Sequence, residues 1–575
     1  MSLSLHPVPV VAVYNPIDDL DEKVIYTAEK GAQNVTSYIF NASNTSNSGC
    51  VFIANPPNTK TTMDRRVFVD FSIAIKFTGT TTDGGNLLRP LVDAPRAFPL
   101  SSVISTTVAS INNTNVNLST AQVIHPLSRM NFDVYTRKYV NGGCPTTLDV
   151  YPDYPVDTRG FARNPLSGYG SSTTGSDENR GFDDVPNAPY NNSNAWVEIL
   201  NNTDTEAEVV IRVREPLWLA PFSTGKGEHK GFNNVQTFTI NLTFNAGLSR
   251  VWSHMAIPEV NFTNVQVQMG SGFKADGSFD FDPIPPRLEC IYHTPDPLYK
   301  VPDVLQYDYY EIIRYSTQGK ALGQAGSVAP NPLPDDIGKK SNNIILNSIP
   351  HKILIYAKRQ DSDLFGQDGY LYSDTYLRLD GLNILFNNKS GICSQMSEYQ
   401  LYQMSRKNGL NMSYQDWYVA GSPIIVSPAS DFGMNNSSET NGVQGQYNFQ
   451  VTVNVHNQTE NALTYDLNII VISEGILTLE VGGRTMTELA CLSHKDVLDA
   501  TSKPWMKWSE LRKYGGSMFS SFRRQLPASK LAKRGLGSSG GAVSGGAVSG
   551  GAVSGGELVS VSKAHLKKAL RNRIF

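Results

Sequence analysis

The chain has 575 residues, 40% of them hydrophobic and 18% charged, with a formal net charge of −3. That length exceeds one ordinary core and implies two or three domains, and the composition excludes a disordered polyelectrolyte. No apolar run approaches the ~18 residues of a membrane-spanning helix, and Cys50, Cys144, Cys290, Cys393 and Cys491 show neither metal-site spacing nor an even disulfide count.

Met1 to Tyr14 lacks the basic start and long apolar run of a secretory signal, so reduced thiols in a cytosol-like compartment are expected. The 47 Gly and 32 Pro, set among many Asn, Ser and Thr, favour an all-β protein with many loops. Charge is unevenly placed. Lys495 to Phe575 holds 15 Lys and Arg against 4 Asp and Glu, leaving an acidic body and a basic tail.

In chain order, residues 1–30 read as an extended arm with prolines at Pro7, Pro9 and Pro16. Strand patterns follow at Val51–Ile53 and Val67–Phe77. In the second, Val67, Val69, Phe71, Ile73, Ile75 and Phe77 alternate with mostly polar neighbours, which puts one side in a core. Another strand runs from Val103 to Ile111. Ser119 and Gln122 have capping-box spacing, so a short helix should start there and break near Pro126. Asn141 to Asn194, rich in Gly, Pro, Tyr, Asp and Asn, reads as a long surface excursion. Strands resume at Ala207–Val213 and Phe238–Phe244. The prolines at Pro283, Pro285 and Pro286 give the best domain boundary, because proline is excluded from central strands.

The second half repeats the style, with strands at Ile353–Ala357, Tyr376–Leu379, Ile384–Phe386, Gln446–His456 and Leu467–Ile472, and a helix at Ser394–Arg406. The resulting division is an arm at 1–30, a first β unit at 31–282, a second at 283–492 and a basic tail at 493–575. No residue-level repeat links the halves. Within the tail, Met518, Phe519, Phe522 and Leu526 share a helical face beside Arg523 and Arg524. A tandem Gly-Gly-Ala-Val-Ser run from Gly540 to about Gly556 is a flexible linker. A basic amphipathic segment, Glu557 to Phe575, closes the chain.

Catalytic and cofactor signatures are absent from the sequence. There is no P-loop, His-Glu-x-x-His, paired Cys-x-x-Cys or EF-hand loop, so neither an enzyme nor a bound cofactor is expected. Asp276, Asp280 and Asp282 lack the glycine and glutamate of a calcium loop and read as an acidic turn. Gly537 to Gly541 matches a nucleophile elbow formally, but in low-complexity sequence without the required strand and helix. His125 and His254 read as packed structural residues. The tail is the one lead on partners. Arg523, Arg524, Lys530, Lys533, Arg534, Lys563, Lys567, Lys568, Arg571 and Arg573 suit a polyanion or an inner surface. The interleaved apolar residues suit an anionic membrane or a protein groove equally, and a solvated tail without a partner is the plain alternative.

Met63 to Phe68, Asn86 to Pro90 and Arg96 to Ile104 closely resemble segments of the major capsid proteins of virophages and Polinton-like DNA viruses, within the adenovirus-like double jelly-roll lineage. Leu248 to His254, Pro283 to Arg287 and Tyr514 to Phe522 strengthen the likeness, which covers most of the chain. The resemblance implies two tandem eight-stranded jelly-roll sandwiches with short helices in loops and a flexible basic tail. It implies a homotrimer of pseudo-hexagonal outline that joins neighbouring capsomers, with penton and minor capsid proteins, in an icosahedral virion shell around double-stranded DNA. The excursion at Asn141 to Asn194 would form an outer tower, with arm and tail facing inward. It also implies a viral cysteine protease that cuts at Gly-Gly sites, and Gly546, Gly551 and Gly556 end three loose matches. Each has Val where the family pattern more often has Met, Ile or Leu, and an uncut spacer is the competing reading. The rival functions are a jelly-roll glycan- or receptor-binding spike or penton-type protein and, third, a carbohydrate-active enzyme.

Overall fold

The structure, a computed structural model, describes residues 34–57, 61–89, 93–96, 98–131, 195–222, 231–254, 256–270, 285–294, 303–372, 374–387, 389–434, 439–490 and 492–502. The N-terminal arm, the whole Asn141–Asn194 excursion, the acidic turn at Asp276 to Asp282 and the tail from residue 503 lie outside these ranges.

In the first half the strands are β1 (Asn34–Asn41), β2 (Asn44–Ser46), β3 (Gly49–Ile53), β4 (Thr62–Thr81), β5 (Asp93–Pro95), β6 (Ile104–Ile111) and β7 (Thr114–Leu118). Helix α1 (Thr120–Asn131) follows, then β8 (Ala195–Asn202), β9 (Glu206–Pro216), β10 (Phe238–Phe244), β11 (Trp252–His254), β12 (Val260–Met269) and β13 (Arg287–Thr294). One sheet has the order β1-β13-β4-β9-β8 with β12 also on β4, and a second has the order β2-β3-β10-β6-β7. The sheets face each other, with Phe71 of β4 edge-on to Phe244 of β10 at 5.7 Å between ring centroids. The expected alternation in β4 is realised, since Val67, Val69, Phe71, Ile73, Ile75 and Phe77 are all buried.

The second half runs β14 (Val304–Leu322), β15 (Asp335–Lys340), β16 (Ile344–Ser348), β17 (Lys352–Arg359), α2 (Asp361–Leu364), β18 (Tyr376–Phe386) and β19 (Lys389–Ile392). It continues with α3 (Glu398–Lys407), α4 (Tyr414–Val419), β20 (Ile424–Val426), α5 (Pro428–Asp431), β21 (Gln444–His456), β22 (Leu463–Glu480), β23 (Thr485–Leu489) and α6 (His494–Ser502). Here β14-β22-β17-β20 form one layer and β15 with β16, then β21-β18-β19, form the other. Strand β18 belongs to both, pairing with β17 through Tyr376 and Leu377 and with β21 from Arg378 onward. Tyr447, Phe449, Val451, Val453 and Val455 of β21 are buried, as their spacing requires.

Numbering the shared strands along each half gives the same result twice. The orders are 1-8-3-6 and 2-7-4-5, carried by β1, β3, β4, β6, β7, β9, β10 and β13 in the first half and by β14 through β22 in the second, with β15 and β16 sharing one place. Two such Greek keys make a jelly-roll, so the expected pair of eight-stranded sandwiches is present, with added edge strands.

Three expectations need correction. The first unit does not end at 282, because β13 is the eighth strand of the first sandwich, in register with β1 and β4. The prolines lead into that strand, and the Pro286 carbonyl accepts a bond from the Ala42 amide. The second unit therefore begins after Thr294. The tail does not start at 493 either. Helix α6 is capped by the Ser493 hydroxyl, which accepts from the Asp496 amide at 3.2 Å, and Val497 is buried. Finally, α1 runs through Pro126 to Asn131. Its buried Val123, Ile124 and Leu127 offset the one backbone bond that proline removes.

Candidate functional site at the junction of the two sandwiches

The charged part of the contact between the two sandwiches is built from three connections. From the first, the β4–β6 connection supplies β5 and Arg96, and the β10–β13 connection supplies a 3-10 turn, Leu248–Val251, followed by β11. Strands β5 and β11 pair antiparallel, and the Arg96 amide donates to the Val251 carbonyl at 2.8 Å. From the second, the β17–β18 connection brings α2, a 3-10 turn at Gly369–Leu371 and Asp374.

Asp93 fixes the first side. Its Oδ1 lies 2.8 Å from His254 Nδ1 and accepts from Trp252 Nε1 at 3.1 Å, and all three side chains are buried. His254 is thus the packed structural residue expected. Two arginines then cross to the second sandwich. Arg96 is fully buried and donates from Nε to the Arg250 carbonyl at 2.8 Å and from Nη2 to the Gly369 carbonyl at 3.4 Å and to the Tyr372 carbonyl. Arg250, also fully buried, donates from Nη2 to Asp374 Oδ2 at 2.6 Å, and its guanidinium lies 4.5 Å from the Phe365 ring centroid.

Asp374 is the hub. Lys358 Nζ sits 3.3 Å from its other oxygen and 3.0 Å from Asp361, which also pairs with Arg314. Burial alone would raise the Asp374 carboxyl, but the cations Arg250, Lys358 and Arg96 hold it well below the usual carboxylate range. Asp361 behaves likewise, held at about 2 by Lys358 and Arg314 against its burial.

His125 approaches from α1. Its Nε2 lies 2.8 Å from the Ser102 hydroxyl and 3.8 Å from Asp374. Burial pushes the imidazole down to about 3, with Arg250, Arg96 and Lys358 adding to the shift and Asp374 opposing it, so it is neutral. Next to Ser102, Ser101 holds a second buried acid. Glu215 accepts from the Leu100 and Ser101 amides at 2.9 Å and from the Ser101 hydroxyl, yet burial pushes its carboxyl up to about 7.

Backbone shape permits the close approach. A Cβ on Gly247 would lie 2.3 Å from the Phe365 carbonyl oxygen, so only glycine fits there. The Ser249 hydroxyl donates to the Gln367 carbonyl at 2.7 Å. Elsewhere on the boundary, Tyr307 donates its hydroxyl to the Gly231 carbonyl at 2.8 Å, and Thr114 donates to the Thr485 carbonyl at 2.7 Å. Chemically this arrangement positions rather than reacts. Among the described residues, no group of three or more His, Cys, Asp or Glu could hold a metal ion.

The segments that build this junction are also those in which the chain is similar to known proteins. Residues 9–277 match the family model for the Sputnik virophage major capsid protein 1st domain, and residues 321–420 match that for the major capsid protein V20 C-terminal domain. Over 551 residues the chain is 30% identical to capsid protein V20 of Sputnik virophage, covering 92% of this chain and 87% of that protein. This chain belongs to the virophage major capsid protein family. A chain of the Sputnik virophage cryo-EM structure superposes with a TM-score of 0.70 at 27% identity, over 90% of the virophage capsid chain described here and 100% of that one. The mavirus major capsid protein, at 14% identity, shares the fold with a TM-score of 0.60 over 87% of this chain and 98% of its own.

Of the site residues expected from the sequence of this virophage capsid protein, none falls within the described ranges. Gly546, Gly551 and Gly556, and the basic residues from Arg523 to Arg573, all lie beyond residue 502. The junction residues went unassigned at the sequence level. Arg96 and Arg250 lie in family-like segments that carried no role, and Asp374 sits in an unremarkable stretch. A signal existed in Lys358 and Arg359, two cations that directly continue the apolar run Ile353–Ala357 and stay buried.

Proposed function

We propose that the protein trimerises into pseudo-hexameric capsomers, which join neighbouring capsomers into an icosahedral shell enclosing double-stranded DNA. Family membership supports a structural capsid role, and no catalytic role is proposed. The observation that carries the finer reading is the repeated strand order, because two similar sandwiches taken three times give six similar bodies around one axis. A buried ionic junction between them supports a fixed spacing of those six bodies.

In this reading the protein resides in the virion after assembly in the infected cell, and penton and minor capsid proteins complete the shell. The basic residues from Arg523 to Arg573 face the interior and meet DNA or an inner layer by releasing counterions. A viral cysteine protease cuts after Gly546, Gly551 or Gly556. Light scattering coupled to size exclusion tests the first step, with an expected mass three times the 63.0 kDa of one chain. Negative-stain images should show hexagonal particles or closed shells. A monodisperse monomer at shell-forming concentration would refute the proposal. Intact mass of mature particles tests processing, and a retained Phe575 terminus would remove that step.

A further inference from the structure

Between β19 and β20 the second sandwich carries a braced aromatic surface to which nothing in the capsid role assigns a task. Tyr399 of α3 is 57% exposed and Tyr414 of α4 is 37% exposed, with their ring centroids 5.7 Å apart. Beneath them Tyr402 and Trp417 are buried and anchored. The Tyr402 hydroxyl donates to the Met412 carbonyl at 3.1 Å, and Trp417 Nε1 donates to the Pro423 carbonyl at 2.7 Å. The Tyr414 ring packs on both, at 5.3 Å and 5.7 Å. The exposed faces are therefore held in place before any ligand arrives, which lowers the ordering cost of binding.

Polar groups adjoin the rings in a regular way. Helix α3 starts with a full capping box between Ser397 and Gln400, and its register puts Gln403 one turn beyond Tyr399 on the same exposed face. Alongside lies a cleft of about 430 Å³, lined among others by Met396, Gln400, Gln403, Lys407 and Asp431. Charge there is balanced locally, with Lys407 3.1 Å from Asp431 and Arg378 3.2 Å from Glu398.

These features select among occupants. Paired charges give no field to attract nucleic acid or a charged peptide. The exposed large apolar groups here are few, Tyr399, Tyr414 and Val419, and they are interleaved with amides and hydroxyls. A sugar ring fits both halves of the surface. Its axial C–H groups rest on the electron-rich face of an aromatic ring, and its hydroxyls match planar amides that donate and accept. We propose that the α3–α4 surface binds saccharides, with the Tyr399 and Tyr414 rings, inclined at 61° to each other, flanking a pyranose and Gln403, with Gln400 and Lys407 along the cleft, bonding its hydroxyls.

Saturation-transfer NMR on the full-length protein, with methyl β-D-glucopyranoside, N-acetylglucosamine and glucuronic acid as probes, tests this. Transfer to the axial ring protons of at least one probe is expected. The pair Tyr399→Ala with Tyr414→Ala should weaken binding about tenfold or more, whereas Tyr399→Phe should retain it. Gln403→Ala should weaken binding about threefold or more. Tyr399→Ala and Gln403→Ala change exposed groups, so these two variants should melt within about 2 °C of the parent and assemble like it, and they keep binding readable where loss of the Tyr414 ring, packed on Tyr402 and Trp417, loosens the double variant. No transfer from any probe, or equal transfer from the double alanine variant, would overturn the proposal. So would protection of Tyr399 from iodination in assembled particles, which would make the surface a contact between copies. Binding by the unassembled protein is scored separately, so failure to form shells leaves the outcome readable.

Discussion

Replacing Asp374 by Asn removes the one carboxylate that Arg250 and Lys358 share. Those cations stand 2.6 and 3.3 Å from it, with side chains 0% and 2% exposed, and the acid itself is 1% exposed. Asn keeps the shape and one acceptor oxygen, so no cavity forms and the cost is electrostatic. Arg250 loses its carboxylate partner while Lys358 keeps Asp361 at 3.0 Å, and breaking a buried pair this way costs about 3–5 kcal/mol. At roughly 2–4 °C per kcal/mol for cooperative units of this size, the transition should fall by about 6–20 °C. Differential scanning calorimetry of the unassembled protein at pH 7 reads it directly. Glu480→Gln provides the control, since it breaks an exposed contact to Arg484 at 3.9 Å and should cost about 0.5 kcal/mol or less. A drop below about 2 °C for Asp374→Asn would refute the claim that this carboxylate fastens the two sandwiches. The pH dependence has a definite sign. A depressed folded-state value means that the stabilisation is present above the unfolded carboxylate range and is lost as pH falls below it.

His125 and Glu215 should tilt stability in opposite directions. The unfolded histidine binds a proton near pH 6.5 and the folded one near 3, so the wild type loses about 1.4 kcal/mol per pH unit from this group as pH falls through that window. Glu215, raised from 4.5 to about 7, contributes the opposite slope, with stability lost as pH rises from 4.5 to 7. His125→Gln should therefore favour acid and Glu215→Gln neutral pH, when urea midpoints are compared at pH 5 and 7, and parallel profiles would contradict both assignments. Gly247→Val should prevent the sandwiches from docking, because its first side-chain carbon already meets the Phe365 carbonyl at 2.3 Å. Protease-resistant full-length protein would contradict that. Ile73→Ala, at the fully buried centre of β4, should cost about 2–5 kcal/mol by denaturant titration.

Legibility from sequence followed locality. Alternation in β4 and β21 was readable because each strand has one buried face, and so were the core positions of β9 and β10. Strand β18 looked like two segments because Gly381, at φ +60°, interrupts the alternation with a bulge between Asp380 and Asn383. The 19-residue β14 escaped notice, since Tyr, Gln, Glu and Arg line both faces and several of its residues are half-exposed. The junction was the least readable part. Arg250 and Asp374 are 124 positions apart, and neither position carries a local pattern that names its partner. Burial of a charge is a tertiary fact, and only contact reveals it.

The two arginines that cross the junction are gripped by different chemistry. Arg250 holds a carboxylate, whereas Arg96 grips the peptide oxygens of Arg250, Gly369 and Tyr372. Amide oxygens gain no proton in mild acid, and the Asp374 carboxylate, held well below its usual range, gains none there either, so both latches stay shut. With Ser249, Tyr307 and Thr114 adding uncharged bonds across the same boundary, the spacing of the two halves is pinned at several points and does not depend on any one proton.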